Sequence, residues 1–149
     1  MSITVRLEEQ RLDPREELGA LLDQAAGDGA VVSFVGIARP DAGKVERLVL
    51  EHHPTLTKRS LEEIAAAAAE RFDVSHVRVV HRCGEVAAGE AIVFAGAASA
   101  HRRAAFEAAD YLMDRLKTEG VLWKREEGPE GMKWIEPTDA DYRERERWG

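Results

Sequence analysis

Residues 90–120 read EAIVFAGAASAHRRAAFEAADYLMDRLKTEG, and the chain changes character within them. Ala91 to Ala98 is an apolar, strand-like run, whereas Ala100 to Thr118 carries a helical pattern that Gly120 ends. Ser99 reads as the N-cap, which puts His101, Arg102 and Arg103 in the first helical turn. A helix N-terminus carries about half a positive charge, so acidic side chains are favoured there and cations are not. Three potential cations oppose that preference. A negative group is expected to balance them.

Working outward, Ile3 to Leu7 alternates as a first strand, and Asp13-Pro14 reads as N-cap plus first helical residue of a helix stopping at Gly27–Gly29. GAVVSFVGIAR (29–39) is a strand rich in β-branched residues, Pro40 to Lys44 a loop, and Val45 to His52 the next strand. Thr57 to Arg71 is helical by pattern, with five consecutive alanines that permit close packing. Val74 to Arg82 and Glu90 to Ser99 form a candidate hairpin through the Gly84–Glu90 connection. VLWKRE and MKWIE form another around Gly128–Gly131. The charged tail, about residues 138–149, reads as a short exposed helix. The order βαββαββαββα, with hairpins and two crossover helices, predicts an α+β fold rather than a doubly wound parallel sheet.

The 149 residues are expected to form one domain, with 44% hydrophobic and 33% charged residues as in ordinary soluble proteins. The net charge of −7 argues against broad nucleic-acid binding, so any anion site must be a local basic cluster. Cys83 is the lone cysteine, no signal core opens the chain, and no apolar run approaches the ~18 residues of a membrane span. A cytoplasmic protein with no membrane partner is expected.

The candidate residues each admit two readings. Either Arg102 and Arg103 face solvent while His101 caps or packs, or the cluster, with the helix N-terminus, holds a phosphate through N–H groups and guanidinium forks. Lys117 lies in a last helical turn, where the helix dipole alone favours a cation. Lys124 sits on a strand, where a lysine also guards against edge-to-edge association. Arg39 follows a strand end, as a solvated loop residue or a binding one. His52 and His53 point to opposite faces of a strand, as do His76 and His81, and no C-x-x-C or H-E-x-x-H spacing occurs, so no metal is expected. Cys83 reads as a buried, inert thiol. No G-x-S-x-G, P-loop or dinucleotide fingerprint is present.

In order and spacing, GAVVSFVGIAR, LVLEHHP, residues 81–126 and GMKWIE resemble the large, catalytic subunit of molybdopterin synthase, over about residues 28–137. The blocks HR-x-G…S-A-HR…AF and D-x-LK…WK-x-E carry the resemblance. Two departures are visible: Ile37-Ala38 before Arg39, and Gly120-Val121 where the family often has Ala-Pro. The resemblance implies an α/β-hammerhead-type fold with an added antiparallel sheet. It implies a sulfurtransferase that converts cyclic pyranopterin monophosphate into molybdopterin, with no metal or redox cofactor of its own. Sulfur would arrive as a thiocarboxylate on the C-terminal Gly-Gly of a small ubiquitin-like carrier, in a heterotetramer built on a homodimer of this subunit. Lys117 and Lys124 match the family's catalytic lysines, and Arg39, His101 and Arg102 would bind the substrate; Arg103 matches less firmly.

One deduction comes from geometry. Arg102 and Lys117 lie 15 residues apart on one expected helix, or about 22 Å at about 1.5 Å per residue. One pterin-sized molecule cannot reach both, so a shared site would draw His101 and Arg102 from a twofold-related neighbour. The rival reading is a non-catalytic dimeric module that binds a phosphorylated metabolite and regulates a partner. It leaves Lys117 and Lys124 idle. A plain scaffold, whose basic residues pair with its acidic ones, is a further alternative.

Overall fold

The computed structural model describes residues 1–149. Its elements are β1 (Ser2–Glu8), α1 (Pro14–Gln24), β2 (Ala30–Ile37), β3 (Arg47–His52), α2 (Leu56–Arg71), β4 (His76–Arg82), β5 (Gly84–Ala87), β6 (Ala91–Ser99), α3 (Arg102–Glu119), β7 (Leu122–Gly128), β8 (Gly131–Ile135) and α4 (Asp139–Glu146). Two four-stranded sheets result, ordered β1-β4-β6-β2 and β5-β3-β7-β8. Only the β1–β4 pair is parallel; every other pairing is antiparallel. The α+β class expected from the sequence is what forms, with a second, wholly antiparallel sheet beside the first.

β6 is the spine of the first sheet. Val93, Ala95 and Ala97 face a core built from Leu61, Ile64, Ala65 and Ala68 of α2 and Ala108, Tyr111 and Leu112 of α3. Ala91, Phe94 and Ala98 face the other way, onto Leu21 of α1, Leu12 and Val80. Small residues on strand and helices let the layers approach closely, so close packing does most of the positioning. α1 starts as its sequence indicates: Asp13 accepts from the Arg15 N–H (2.9 Å) with Pro14 at the first position.

Four sequence expectations need correction. The long helix begins at Arg102, not Ala100, because His101 is still extended (φ −131°, ψ 144°) and is itself the N-cap. Ser99 stays in the strand; its Oγ donates to the Asp73 carbonyl (2.7 Å) while accepting from the His101 N–H (3.2 Å). The expected hairpin of β4 and β6 forms, but its connection contains a strand, β5, that crosses to pair with β3. Four residues with one buried side chain, Val86, give too little alternation to read. Ladder pairing of β3 starts at Arg47 rather than Val45, because the Val45 N–H turns back to Pro40 O (3.0 Å).

The tail forms the expected short helix, but it is anchored. Arg147 donates to Asp110 (2.7 Å) and Asp114 (2.8 Å) of α3, and the Trp148 indole donates to Asp114 (2.7 Å). The Trp148 ring packs edge-on against Phe72 and Tyr111, at centroid distances of 5.6 and 5.5 Å.

Gly128, at the end of β7, lies against the loop that follows Arg39: a Cβ there would stand 1.9 Å from the Lys44 carbonyl oxygen. Gly128→Ala should therefore cost about 1–3 kcal/mol in urea unfolding, because backbone must move. Gly19→Ala, in α1 with no atom within 4 Å of the new methyl, should instead stabilise by up to about 1 kcal/mol.

Candidate functional site

The last turn of α3 carries Lys117, Gly120 ends the helix, and the chain re-enters as β7 with Lys124 between Leu50 of β3 and Ile135 of β8. The reversal is held from α2: Thr57 Oγ1 donates to the Val121 carbonyl (2.6 Å), and the Val121 N–H donates to Ser60 Oγ (3.2 Å). Lys117 and Lys124 thereby open into one cavity of about 620 Å³, walled by Leu116, Leu122, Trp123, Trp134, Ile135 and Pro137 and closed on one side by Asp141 and Tyr142 of α4. The two lysines are brought together. Trp123 and Trp134 are each about half exposed at its rim.

The electrostatics of the cavity follow from burial. Lys117 is exposed and Lys124 half-buried. Burial pushes the Lys124 amine below the ordinary lysine range, repulsion from Lys117 adds to this, and the Asp141 carboxylate opposes it. Asp141 is held below the usual carboxylate range, first by the Thr138 N–H (2.8 Å) in the capping box that starts α4, and further by both lysines. His81 of β4, also within the field of Lys124, is buried. Its pKa falls to about 4, mainly through desolvation, although Nδ1–H donates to Arg82 O (2.8 Å). The imidazole is neutral, so Lys124 faces no second buried cation. Two ammonium groups above an apolar floor can clamp an anionic acyl group, and the one with the depressed pKa can also exchange a proton.

The remaining candidates lie elsewhere. Arg102 and Arg103, both exposed, border a broader groove with Phe34, Phe106 and Met113, at the opposite end of α3 from Lys117. Arg39 emerges two residues beyond β2, past a register break at Gly36/Ile37. Because Ala30 pairs with Ser99 and Ile37 with Ala91, Arg39 and His101 lie beyond opposite ends of the β2–β6 ladder, which is about 25 Å long. One protomer therefore does not gather Arg39, His101 and Arg102 into one basic pocket with the lysines. Nor does the chain supply the negative group expected at the start of α3. No carboxylate pairs with Arg39, His101, Arg102, Lys117 or Lys124, while Arg6, Arg47, Arg78, Arg115, Arg125, Arg145 and Arg147 all have carboxylate partners.

Sequence reasoning missed Asp141 and the aromatic wall. The Thr138-x-x-Asp141 spacing was a readable capping signal; that the cap overhangs two lysines is a tertiary fact. No helix is long and apolar enough to cross a membrane.

The profile of the MoaE protein family matches residues 7–119. The chain is 46% identical over 144 residues to the molybdopterin synthase catalytic subunit of Caulobacter vibrioides, covering 97% of this chain and 96% of that one. It is 43% identical over 148 residues to the protein of the same name from Pseudomonas aeruginosa, covering 98% and 99%. Among solved structures, molybdopterin cofactor biosynthesis protein E from Burkholderia multivorans superposes with a TM-score of 0.83 at 36% identity, covering 100% of this chain and 98% of that one.

Two predictions follow from the charges. Asp141→Asn keeps a cap acceptor but removes the carboxylate that stabilises the Lys124 ammonium. Lys124 should then acylate faster with an amine-directed reagent near about pH 8, read by peptide mass spectrometry; an unchanged rate would separate Asp141 from Lys124. His81, with a folded pKa of about 4 against an ordinary 6.5, leaves the unfolded chain binding the extra proton between those values. Stability is full above pH 6.5 and falls as pH drops toward 4, by about 2–3 kcal/mol. A urea series should show this loss already between about pH 6.5 and 4.5, and His81→Gln should flatten that segment of the curve.

Proposed function

Since the chain belongs to the MoaE protein family, we propose that it is the catalytic subunit of a molybdopterin synthase, a sulfurtransferase of molybdenum cofactor biosynthesis. Its substrate is cyclic pyranopterin monophosphate, and its sulfur donor is the thiocarboxylated C-terminal Gly-Gly of a small ubiquitin-like carrier. The observation that carries this reading is the convergence of Lys117 and Lys124, neither with a carboxylate partner, on one apolar-walled cavity. A regulatory module that only held a phosphate would have no use for it.

In this reading the carrier tail enters extended, since its terminal glycines present no side chains to the Trp123–Trp134 rim. Lys117, exposed on the last turn of α3, engages the thiocarboxylate and polarises the acyl group. Lys124, half-buried beneath it, steadies developing negative charge and returns protons as each sulfur transfers. Each transfer leaves the carrier with a carboxylate, whose new oxygen comes from water. The cyclic phosphate belongs at a helix N-terminus with His101 and Arg102, together with Arg39. Because one helix separates Arg102 from Lys117, those phosphate ligands come from a second copy of the chain. The assembly is a homodimer with one carrier at each end, and each site is completed across the twofold. The lone cysteine suits a reducing cytoplasm.

The test is single-turnover conversion of cyclic pyranopterin monophosphate with thiocarboxylated carrier. Wild type should give product and Lys117→Ala about 10²-fold less or none, with phosphate-ligand binding retained. No product from folded, carrier-competent wild type would return the phosphate-binding module to first place. Mixing Arg102→Ala with Lys117→Ala subunits should restore part of the activity through mixed dimers; no recovery in mixed dimers would mean that each site is built from one chain.

A further inference from the structure

A second constellation lies where the chain leaves one sheet for the other, and the lysine cavity does not use it. A carboxylate oxygen of Glu9, a ring nitrogen of His52 and the Cys83 sulfur all lie within 4.8 Å of one another. The backbone brings them there. β1 runs parallel to β4 with Glu8 opposite Arg82, and the Cys83 N–H donates to the Glu8 carbonyl (2.8 Å), which sets Glu9 beside Cys83. β3 is antiparallel to β5 with Leu50 opposite Gly84, so two further residues of β3 carry His52 back past Cys83. The three donors therefore tie the end of β1, the end of β3 and the β4–β5 junction.

None of the three side chains has another partner. Glu9 accepts only through its backbone carbonyl, and no hydrogen bond or ion pair engages the His52 ring or the Cys83 thiol, which is buried. His53 is differently employed: its Nδ1 accepts from the Thr55 and Leu56 N–H groups (3.2 and 3.1 Å) at the start of α2. The neighbouring Arg82 supplies an independent sign. It is 4% exposed, and its Nη2 donates to the carbonyls of Glu9 (3.1 Å) and Glu85 (2.8 Å). Its Nε and Nη1 are buried with no acceptor. A buried guanidinium with orphan donors calls for anionic atoms nearby. A protonated thiol does not provide them; a metal-bound thiolate and carboxylate do.

We infer that Glu9, His52 and Cys83 form a zinc site, with water completing a tetrahedron. One sulfur, one imidazole nitrogen and one carboxylate oxygen make a borderline-soft set that suits Zn²⁺ and disfavours Mg²⁺ and Ca²⁺. At Zn–S of about 2.3 Å and Zn–N or Zn–O of about 2.0–2.2 Å, ligand atoms in a tetrahedron stand about 3.3–3.7 Å apart. The exposed Glu9 side chain can supply the closing movement by rotation. As the Zn–S bond forms, the thiol releases its proton to water; no electron moves. Thiolate and carboxylate together cancel the charge of the ion, so the arginine beside them is not opposed by a net cation. The site clamps the two sheets. It is also one residue from His53, whose N–H donates to Thr57 Oγ1 (2.8 Å), the hydroxyl that holds Val121 ahead of Lys124.

The sequence gives no hint of this set, because its members are spread over three distant segments; the expectation of no metal rested on spacing within single strands. The inference does not rest on the sulfur-transfer reading. The experiment titrates the full-length, metal-stripped chain with Zn²⁺ against a chromophoric chelator, and in parallel with Co²⁺. The expected result is one ion per chain, a thiolate-to-cobalt charge-transfer band, and a melting temperature raised by Zn²⁺. Cys83→Ser should abolish the band, and His52→Asn, with unchanged circular dichroism, should weaken binding about tenfold or more. Absence of saturable one-to-one binding overturns the inference, as does Zn²⁺ affinity unchanged in His52→Asn. If Cys83→Ser does not fold, the wild-type cobalt band and the His52→Asn affinity decide the matter without it.

Discussion

The close packing of α3 on β6 fixes the site more than any polar contact does. β6 is a strand mostly of small residues, buried almost throughout, and α3 brings Ala108 into one cluster with Val93, Ala95 and Ala97 of β6, with Ala105 and Ala109 also buried. Alanine against alanine leaves little room for the helix to slide or tilt without opening a void. The helix is thus a rigid rod of 18 residues, about 27 Å long. Its two ends carry the two halves of the basic equipment. No rotamer change can bring Arg102 to Lys117, so a site that needs both must be composed from two rods. For the proposed site, the fold thereby turns a packing requirement within one chain into a requirement for a second.

Charge is arranged on the same frame. Most arginines are consumed structurally: Glu17 of α1 receives Arg6 (3.0 and 2.5 Å) and Arg78 (2.9 Å), tying the helix to β1 and β4. Glu119 receives Arg115 and Arg145, tying α3 to α4. Removing one partner of the buried Glu17 cluster would leave uncompensated charge, which is why such groups travel together. The cavity follows the opposite rule. Its two lysines have no carboxylate in contact, and Asp141 acts on them only at longer range. Neutral His81 is part of this arrangement, because a protonated imidazole behind Lys124 would drive the amine to lose its own proton. A depressed but not abolished lysine pKa is the outcome of burial, one like charge and one opposite charge acting together.

What the sequence discloses depends on how local the cause is. The Asp13-Pro14 start of α1, the alanine-rich face of α2 and the β7–β8 hairpin are set by neighbours within a few residues, and they read correctly. The helix start at Arg102 does not, because Ser99, a good cap by type, is still paired with Ala30 in the ladder and its hydroxyl accepts from the His101 N–H, ahead of the helix, rather than from an N–H within it. β5 escapes for a related reason: Gly84–Ala87 has weak alternation and gains its strand identity only by meeting β3. The tail reads as solvated charge, since its anchors, the Trp148 ring against Phe72 and Tyr111 and the Arg147 pairs with Asp110 and Asp114, all lie on distant segments. At the site, Lys117 and Lys124 stood out through family resemblance and not through any physical mark of their own. Their shared cavity, the overhang of Asp141 and the separation of Arg39 from His101 depend on sheet order, which no single segment encodes.

The lysines also rest on unequal foundations. Lys117 belongs to a helix that contributes to the main core cluster of 15 buried residues. Lys124 belongs to the second sheet, whose own cluster is Ala38, Leu48, Leu50 and Val86. A four-residue core on a sheet ending in an exposed edge strand, β8, opens more readily than the body it is attached to. Three ties limit that freedom: the Thr57–Val121 hydrogen bond, the α4 overhang, and the junction at Cys83. The separation of the two ammonium groups is therefore set by ties and not by packing alone. A peptide tail that crossed the Trp123–Trp134 rim of the second sheet and reached Lys117 on α3 would touch both bodies at once. On the proposed function, its binding energy would then hold Lys124 at a working distance from Lys117, and the spacing would be completed by the partner that delivers the substrate group.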